Sequence, residues 1–178
     1  MSGLDQPIRR AEVPERHRPL LEQALNAPLI TPGLVDAHTH AAWVGSRHGE
    51  YVAKLRGEGY EAIAAAGGGI VASMRAIEES EVAAITATLV ARLRRMARLG
   101  VTTVEVKSGY GLRPDLERRQ LAAIAEASRA DGVPRVVPTF LALHALPPES
   151  RGDEGKRAAY VAAATALTAH KKGRPVGR

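Results

Sequence analysis

The stretch that most constrains the fold of this chain runs from Pro32 to His40 and has the sequence Pro-Gly-Leu-Val-Asp-Ala-His-Thr-His. The Pro-Gly pair predicts a turn that leads into a short, buried, apolar strand, and successive side chains of a strand point to opposite faces. Asp36, His38 and His40 would then share one face, where two imidazoles can converge on one cation. On a helix the same spacing would splay the histidines apart. The stretch therefore predicts a strand that ends in a metal site. The alternative is that the two histidines are polar residues that close a strand without binding metal.

Two further strands are predicted, and a helix precedes each of them. Residues 101–106 and 135–143 are rich in β-branched and apolar residues, which favour strands. Residues 80–99 and 115–130 carry apolar residues at helical spacing, begin with a serine and an aspartate that could cap them, and are followed closely by glycine. This alternation predicts an α/β fold with a parallel sheet and right-handed crossovers.

Polar residues follow the ends of the second and third predicted strands. Tyr110 lies in a Ser-Gly-Tyr-Gly turn, and His144 comes just after the third strand. Because the carboxyl ends of parallel strands meet at one rim, we expect these two side chains to lie near His38 and His40. A tyrosine packed on the rim and a structural histidine are the alternatives.

The loop after the histidine pair carries Arg47, whose planar guanidinium could clamp a substrate carboxylate. A surface arginine is equally consistent with this position, and the neighbouring His48 is expected to be exposed rather than a ligand. The three glycines at 67–69 follow a short predicted helix and indicate a sharp turn or a close backbone approach. No Gly-Lys-Ser/Thr follows them, so they do not form a phosphate-binding loop.

The second predicted strand carries charge on one face. Glu105 and Lys107 alternate with Val104 and Val106. If the valines meet the helices, the two charged residues point away from them, either as an ion pair or as support for the metal site. The ion pair is the favoured interpretation.

Composition excludes several classes of protein. The net charge of +6 comes mostly from residues 150–178, where seven Lys/Arg face two Asp/Glu, so it does not indicate a folded surface for nucleic acid. The chain has no cysteine, no apolar run of about 20 residues and no secretory signal, which favours a cytoplasmic protein without membrane contact. We expect an irregular segment over 1–28, a β/α region over 29–150 and a basic helix and tail over 151–178.

Five motifs together resemble the imidazolonepropionase family of metal-dependent amidohydrolases, over residues 29 to about 150. The most particular are Lys-Ser-Gly-Tyr-Gly at 107–111 and His-Ala-Leu-Pro-Pro at 144–148. The others are Thr-Pro-Gly-Leu-Val-Asp-Ala-His-Thr-His at 31–40, Arg47, and Ala-Gly-Gly-Gly-Ile at 66–70.

The resemblance implies a (β/α)8 TIM barrel of the metal-dependent hydrolase type. Such a barrel takes about 250 residues, so this chain would hold only about three β/α units. The family hydrolyses the cyclic amide 4-imidazolone-5-propanoate, a small molecule, to N-formimino-L-glutamate in histidine degradation, with one divalent metal, zinc or iron. By motif, His38 and His40 would be metal ligands, Arg47 would bind the propionate carboxylate, and Tyr110 and His144 would contact the substrate. The catalytic carboxylates and the remaining metal ligands are not assigned.

The same resemblance is incomplete at both ends of the chain. The alternative to an active enzyme is therefore a truncated or frameshifted, inactive fragment with residual metal or partner binding. The full-length family could form homodimers. In this chain the last strand, near residues 136–141, would lack its neighbour in the barrel, and exposed strand edges pair with other chains. We therefore expect the isolated polypeptide to self-associate.

Overall fold

The computed structural model describes Glu15 and residues 31–169. Of the described residues, 33–169 belong to one compact unit. Apart from Glu15, the irregular segment predicted for residues 1–28 lies outside the described residues, as does the end of the basic tail after residue 169.

The centre of the described unit is a parallel sheet of three strands in the order β1-β2-β3. β1 is Leu34–Asp36, β2 is Val101–Lys107 and β3 is Arg135–Thr139, and both neighbouring pairs are parallel. This confirms the predicted α/β class with a parallel sheet. The predicted bounds were too long for two strands, since β1 ends two residues before His38 and β3 ends at Thr139 rather than at residue 143.

Six α-helices accompany the strands in the described part of the chain. After β1 come α1 (His48–Leu55), α2 (Tyr60–Ala65), α3 (Ile70–Glu78) and α4 (Val82–Arg98). α5 (Pro114–Ala127) follows β2, and a 3-10 turn (Pro148–Ser150) and α6 (Glu154–Ala169) follow β3. Neither α1 nor α3 was predicted from the sequence. Gly49 weakens the helical pattern of α1, and the glycine run 67–69 directly precedes α3.

The predicted N-caps of α4 and α5 were wrong. Glu81, not Ser80, stands at the N-cap of α4, and its side chain makes no capping hydrogen bond. α5 begins at Pro114, so Asp115 lies in the first turn instead of preceding it. Proline suits the first helical position because it has no N–H to leave unpaired, and an aspartate one residue later still complements the helix dipole.

The core lies between β2 and the apolar faces of α4 and α5. Leu89, Leu93, Val104, Val106 and Ile124 are all fully buried there. Each such side chain contributes roughly 1.5–3 kcal/mol of hydrophobic stabilisation. The helical periodicity of α4 and the valine face of β2 were therefore predicted correctly.

The two outer strands are less covered than expected. Leu34 and Val35 in β1 are 54% and 66% exposed, so the prediction of a buried first strand was wrong. β1 and β3 are the edge strands of the described sheet, and each pairs only with β2. In β3, Val137 is 42% exposed, whereas Phe140 and Leu141 beyond it are half-buried.

The last helix packs on the body of the unit. α6 contacts α5 and the 3-10 turn, and it buries Ala164 and Leu167. It begins four residues earlier than the predicted start at residue 158, after an aspartate, Asp153, whose carboxylate accepts a hydrogen bond from the Lys156 amide. Among the described helices, none is both long and apolar enough to cross a bilayer.

Candidate active site

Four aromatic side chains meet at the carboxyl ends of the three strands. The ring centroid of His40 lies 5.6 Å from that of His38, 5.5 Å from that of Tyr110 and 4.8 Å from that of His144. Tyr110 and His144 are 5.9 Å apart. Each of the three segments that carry them follows a different strand, so the structure brings together the residues that the sequence placed on one rim.

His40 is at the centre of this cluster and has the features of an imidazole ready to bind a ligand. Its Nδ1 atom is buried without a hydrogen-bond partner. Burial first, and then the neighbouring His144 and His38, lower the pKa of His40 below the ordinary histidine value. A lowered pKa favours the neutral ring, which is the form that coordinates a metal.

The His-Thr-His segment is held beside β2 although it is not part of β1. The Thr39 hydroxyl donates to the Glu105 carbonyl at 2.6 Å, and the Lys107 amide donates to the Thr39 carbonyl at 3.0 Å. The two histidines flank this anchored residue, and His38 is exposed while His40 is half-buried. Tertiary hydrogen bonds thus replace the strand that the sequence predicted here.

Glu105 and Lys107 form the predicted ion pair. Burial opposes the charge on Glu105, but hydrogen bonds from Lys107, Thr139 and the Thr39 amide together hold the pKa of its carboxyl below the ordinary value. The Thr39 amide lies 3.3 Å from Glu105 Oε2. The pair is therefore structural and also supports the histidine segment.

Arg47 and Tyr110 line one cavity of about 320 Å³, together with Trp43, Glu50, Tyr51, Lys54 and Ser73. Arg47 is paired with Glu50, which raises the pKa of Arg47 and lowers that of Glu50, in each case chiefly through their hydrogen bonds. Glu50 also accepts a hydrogen bond of 3.0 Å from the Gly69 amide. The glycine turn therefore helps to hold Arg47 in position through Glu50. His48, next to Arg47, is exposed, as expected.

Reasoning from sequence missed several residues that build this site. Besides Glu50, they include Arg92, whose guanidinium carbon lies 3.8 Å from the centre of the Trp43 ring and which donates to the carbonyls of Ala41 and Trp43. Two others are the buried Glu117 and Gln120 of α5. Gln120 could have been found, because it falls between Leu116 and Ala123 on the apolar stripe of a predicted helix, where a polar residue is unusual.

The described part of the chain does not contain a complete metal-ligand set. No group of three or more histidine, cysteine, aspartate or glutamate side chains among the described residues is placed to hold one ion. Structural and catalytic zinc sites use three or four ligands from the protein, so the predicted pair of His38 and His40 would be only part of such a set.

Fold and site together define an α/β protein with a histidine- and tyrosine-lined site at the carboxyl ends of its parallel strands, where enzymes of this architecture act. Comparison with curated proteins shows which one it resembles. The chain is 46% identical over 142 residues to the imidazolonepropionase of Cupriavidus metallidurans, covering 80% of this chain and 34% of that protein. Over the matched residues, this chain is homologous to part of imidazolonepropionase.

Other relatives that the chain resembles are also imidazolonepropionases. The imidazolonepropionase of Acidiphilium cryptum is 47% identical over 152 residues, which is 83% of this chain and 36% of the relative. That of Xanthomonas axonopodis pv. citri is 50% identical over 119 residues, or 67% and 29%. The chain spans about a third of the length of the curated relatives it matches. No protein-family model matches it.

Proposed function

We propose that this chain forms part of the active site of an imidazolonepropionase, which hydrolyses the cyclic amide of 4-imidazolone-5-propanoate to N-formimino-L-glutamate in histidine degradation. The observation that carries the proposal is the meeting of His40, Tyr110 and His144 at the carboxyl ends of the strands, with ring centroids 4.8–5.9 Å apart. These residues lie in motifs that the sequence shares with that family.

His38 and His40 would hold one divalent metal, zinc or iron. The Nδ1 atom of His40 is buried and has no hydrogen-bond partner, so this imidazole fits the role of a ligand to such an ion. When bound, the metal would supply Lewis acidity and an activated water for attack on the amide carbonyl. The ion pair of Glu105 and Lys107 would keep the histidine segment in place through Thr39.

Arg47 would bind the propionate carboxylate of the substrate. Two N–H groups of Arg47 donate to Glu50. A guanidinium has five N–H groups, so Arg47 keeps donors for a second carboxylate. With Lys54 on the same wall, the charged residues of the cavity sum to one positive charge, which suits a monocarboxylate.

Tyr110 and His144 would contact the imidazolone ring. Burial raises the pKa of the Tyr110 hydroxyl, with the charge of Arg47 acting in the opposite direction, so the group stays protonated and can donate a hydrogen bond to the ring carbonyl. His144 is exposed, its ring centroid lies 4.8 Å from that of His40 and 5.9 Å from that of Tyr110, and it would donate to the developing oxyanion.

The proposal extends to the architecture of the whole protein. The three β/α units would be part of a (β/α)8 barrel, which in the full-length family could assemble as a homodimer. The enzyme would act in the cytoplasm on a small-molecule substrate, without nucleic acid or membrane partners.

A second candidate is an inactive fragment of that enzyme with residual metal or partner binding. The incomplete ligand set of the described residues favours it. Two measurements test these candidates. In a chimera, the segment of the Cupriavidus metallidurans enzyme that matches this chain is replaced by the corresponding residues of this chain, and imidazolone propionate hydrolysis tests the roles proposed for these residues. The same assay on the 178-residue chain alone tests whether the chain is an inactive fragment. We expect hydrolysis by the chimera, its loss on Tyr110→Phe with Arg47→Met, and none by the 178-residue chain alone. A folded but inactive chimera would contradict the proposed function, whereas turnover by this chain alone would exclude the fragment.

A further inference from the structure

A buried polar pair on α5 lies behind the candidate site. The side chains belong to Glu117 and Gln120, which are 4% and 0% exposed, and neither lines the cavity of Arg47 and Tyr110. Burying a carboxylate or an amide is costly unless its hydrogen bonds are satisfied. The groups that these two side chains bind therefore indicate their role.

Glu117 binds the backbone of the loop that presents Tyr110. Its Oε2 accepts from the Gly109 amide at 3.0 Å, and its Oε1 accepts from the amides of Gly111 at 2.9 Å and Leu112 at 3.1 Å. Bonds to an ionised carboxylate are among the strongest in proteins. The loop is thus held on both sides of Tyr110.

The loop has little freedom to adopt another position. A Cβ at Gly111 would lie 2.5 Å from the Glu117 backbone nitrogen, so only glycine fits there. Leu112 has a φ of 52°, in the left-handed region that a leucine rarely adopts. Strain of this kind persists only where surrounding contacts hold it, and the Glu117 carboxylate supplies such contacts.

Gln120 connects this loop to the histidine segment. Its Oε1 accepts from the Tyr110 amide at 3.2 Å, and its Nε2 donates to the Ala42 carbonyl at 2.6 Å. Ala42 comes two residues after His40 and is fully buried. One side chain therefore bonds to the backbone of Tyr110 and to the segment that carries His40.

We propose that Glu117 and Gln120 are positioning residues of this site: Glu117 fixes the Tyr110 loop, and Gln120 sets the distance between Tyr110 and His40. The inference rests on the proposed function, in which both rings act on one substrate. A misplacement of about 1 Å can reduce catalysis by roughly 100-fold. The competing view is that the pair only stabilises the fold.

Hydrogen exchange in the full 178-residue chain tests the positioning role directly. Gln120→Met keeps the volume and packs well but removes both hydrogen bonds, and Glu117→Gln removes the charge. Glu126→Gln is the matched control, since Glu126 lies exposed on the same helix. We expect exchange about tenfold faster at the amides of Gly109, Gly111 and Leu112 in Glu117→Gln and at the amide of Tyr110 in Gln120→Met, with core amides of β2 and α4 unchanged. Equal acceleration of loop and core amides would overturn the proposal in favour of a purely structural role.

Ligand binding provides the second readout. The chain has a single tryptophan, Trp43, and it lines the cavity, so its fluorescence should report binding of imidazole propionate, a non-hydrolysable relative of the proposed substrate. We expect Gln120→Met to weaken this binding about tenfold and Glu126→Gln to leave it unchanged. Binding equal to wild type in both Gln120→Met and Glu117→Gln would overturn the positioning role.

If wild type itself does not bind imidazole propionate, the proposed function loses its support, and the exchange rates alone then decide whether the pair holds the loop. If Glu117→Gln does not fold, the isosteric Gln120→Met carries both measurements.

Discussion

The guanidinium of Arg47 meets the carboxylate of Glu50 through two parallel hydrogen bonds, 2.8 Å from Nε to Oε1 and 2.6 Å from Nη2 to Oε2. Neither of the two interpretations of Arg47 from sequence included this partner. Because Glu50 also accepts the Gly69 amide, the pair joins the start of α1 to the glycine turn before α3. Arg47 is therefore oriented within the cavity wall before any ligand arrives.

The stability of the chain should depend on pH through Glu50. Its pKa lies below the ordinary glutamate value, chiefly because Arg47 hydrogen-bonds to it. A carboxyl group whose pKa is depressed in the folded state stabilises the fold above its unfolded pKa, and this stabilisation is lost as the pH falls through the folded pKa. The Arg47 side chain is 43% exposed, so the contribution is only about 0.2–1 kcal/mol.

Glu50→Gln should therefore lower the free energy of unfolding by about that amount at neutral pH, and the difference from wild type should vanish in acid. Urea denaturation across the acidic range measures it. Glu61→Gln is the control, because Glu61 is exposed in α2 and forms no ion pair with any residue that the structure describes. A difference that stays constant with pH would show that the ion pair does not cause it.

Gly33 and Gly49 should respond in opposite ways to alanine. A Cβ at Gly33 would lie 2.2 Å from Thr102 Oγ1 and 2.7 Å from Thr102 Cβ, so Gly33→Ala should destabilise the fold by about 1–3 kcal/mol. A Cβ at Gly49 would meet no neighbouring atom within 4 Å, and Gly49 lies inside α1, where alanine is favoured by about 0.8–1.0 kcal/mol. Thermal unfolding of both variants measures the two effects, and a lower melting temperature for Gly49→Ala would be inconsistent with the helix α1.

Zinc should bind this chain weakly and through both histidines of the pair. Two protein ligands leave water to complete the coordination shell, so chelation is reduced. Isothermal titration of zinc should give a weak site that His38→Ala with His40→Ala removes. The exposed His48 provides the control, since His48→Ala should leave the site intact. Equal affinity in wild type and the double variant would refute the assignment of the ligands.

Self-association of the isolated chain should depend on its edge strands. Val35 in β1 and Val137 in β3 are 66% and 42% exposed on strands that, within the described part of the chain, pair only with β2. Replacing both by lysine should shift the sedimentation profile towards monomer, because charge on an edge strand opposes pairing with other chains. Val161→Lys on α6 is the matched control, since Val161 is 40% exposed on a helix. A wild-type chain that sediments as a compact monomer would contradict the prediction.

Local patterns were enough to predict the sheet and its principal helices. The valines of β2 and the leucines of α4 follow the two repeats, of two and of about 3.6 residues, that strands and helices impose. The residues Tyr110 and His144 could be placed on the rim because parallel strands put their carboxyl ends together. Strand bounds and helix caps were less accurate, since they depend on hydrogen bonds to distant residues, such as those of Thr39 to β2.

The sequence by itself determined the class of fold, the rim on which the histidines and the tyrosine lie, and the resemblance to imidazolonepropionase. Only the tertiary structure showed that Glu50 orients Arg47, that Gln120 bonds to both the Tyr110 loop and Ala42, and that the first strand is exposed. The physical reason is the separation of the interacting residues along the chain. Periodicity is local and shows which face of an element is apolar. Gln120 and Ala42 are 78 residues apart, and their hydrogen bond forms only when the elements pack.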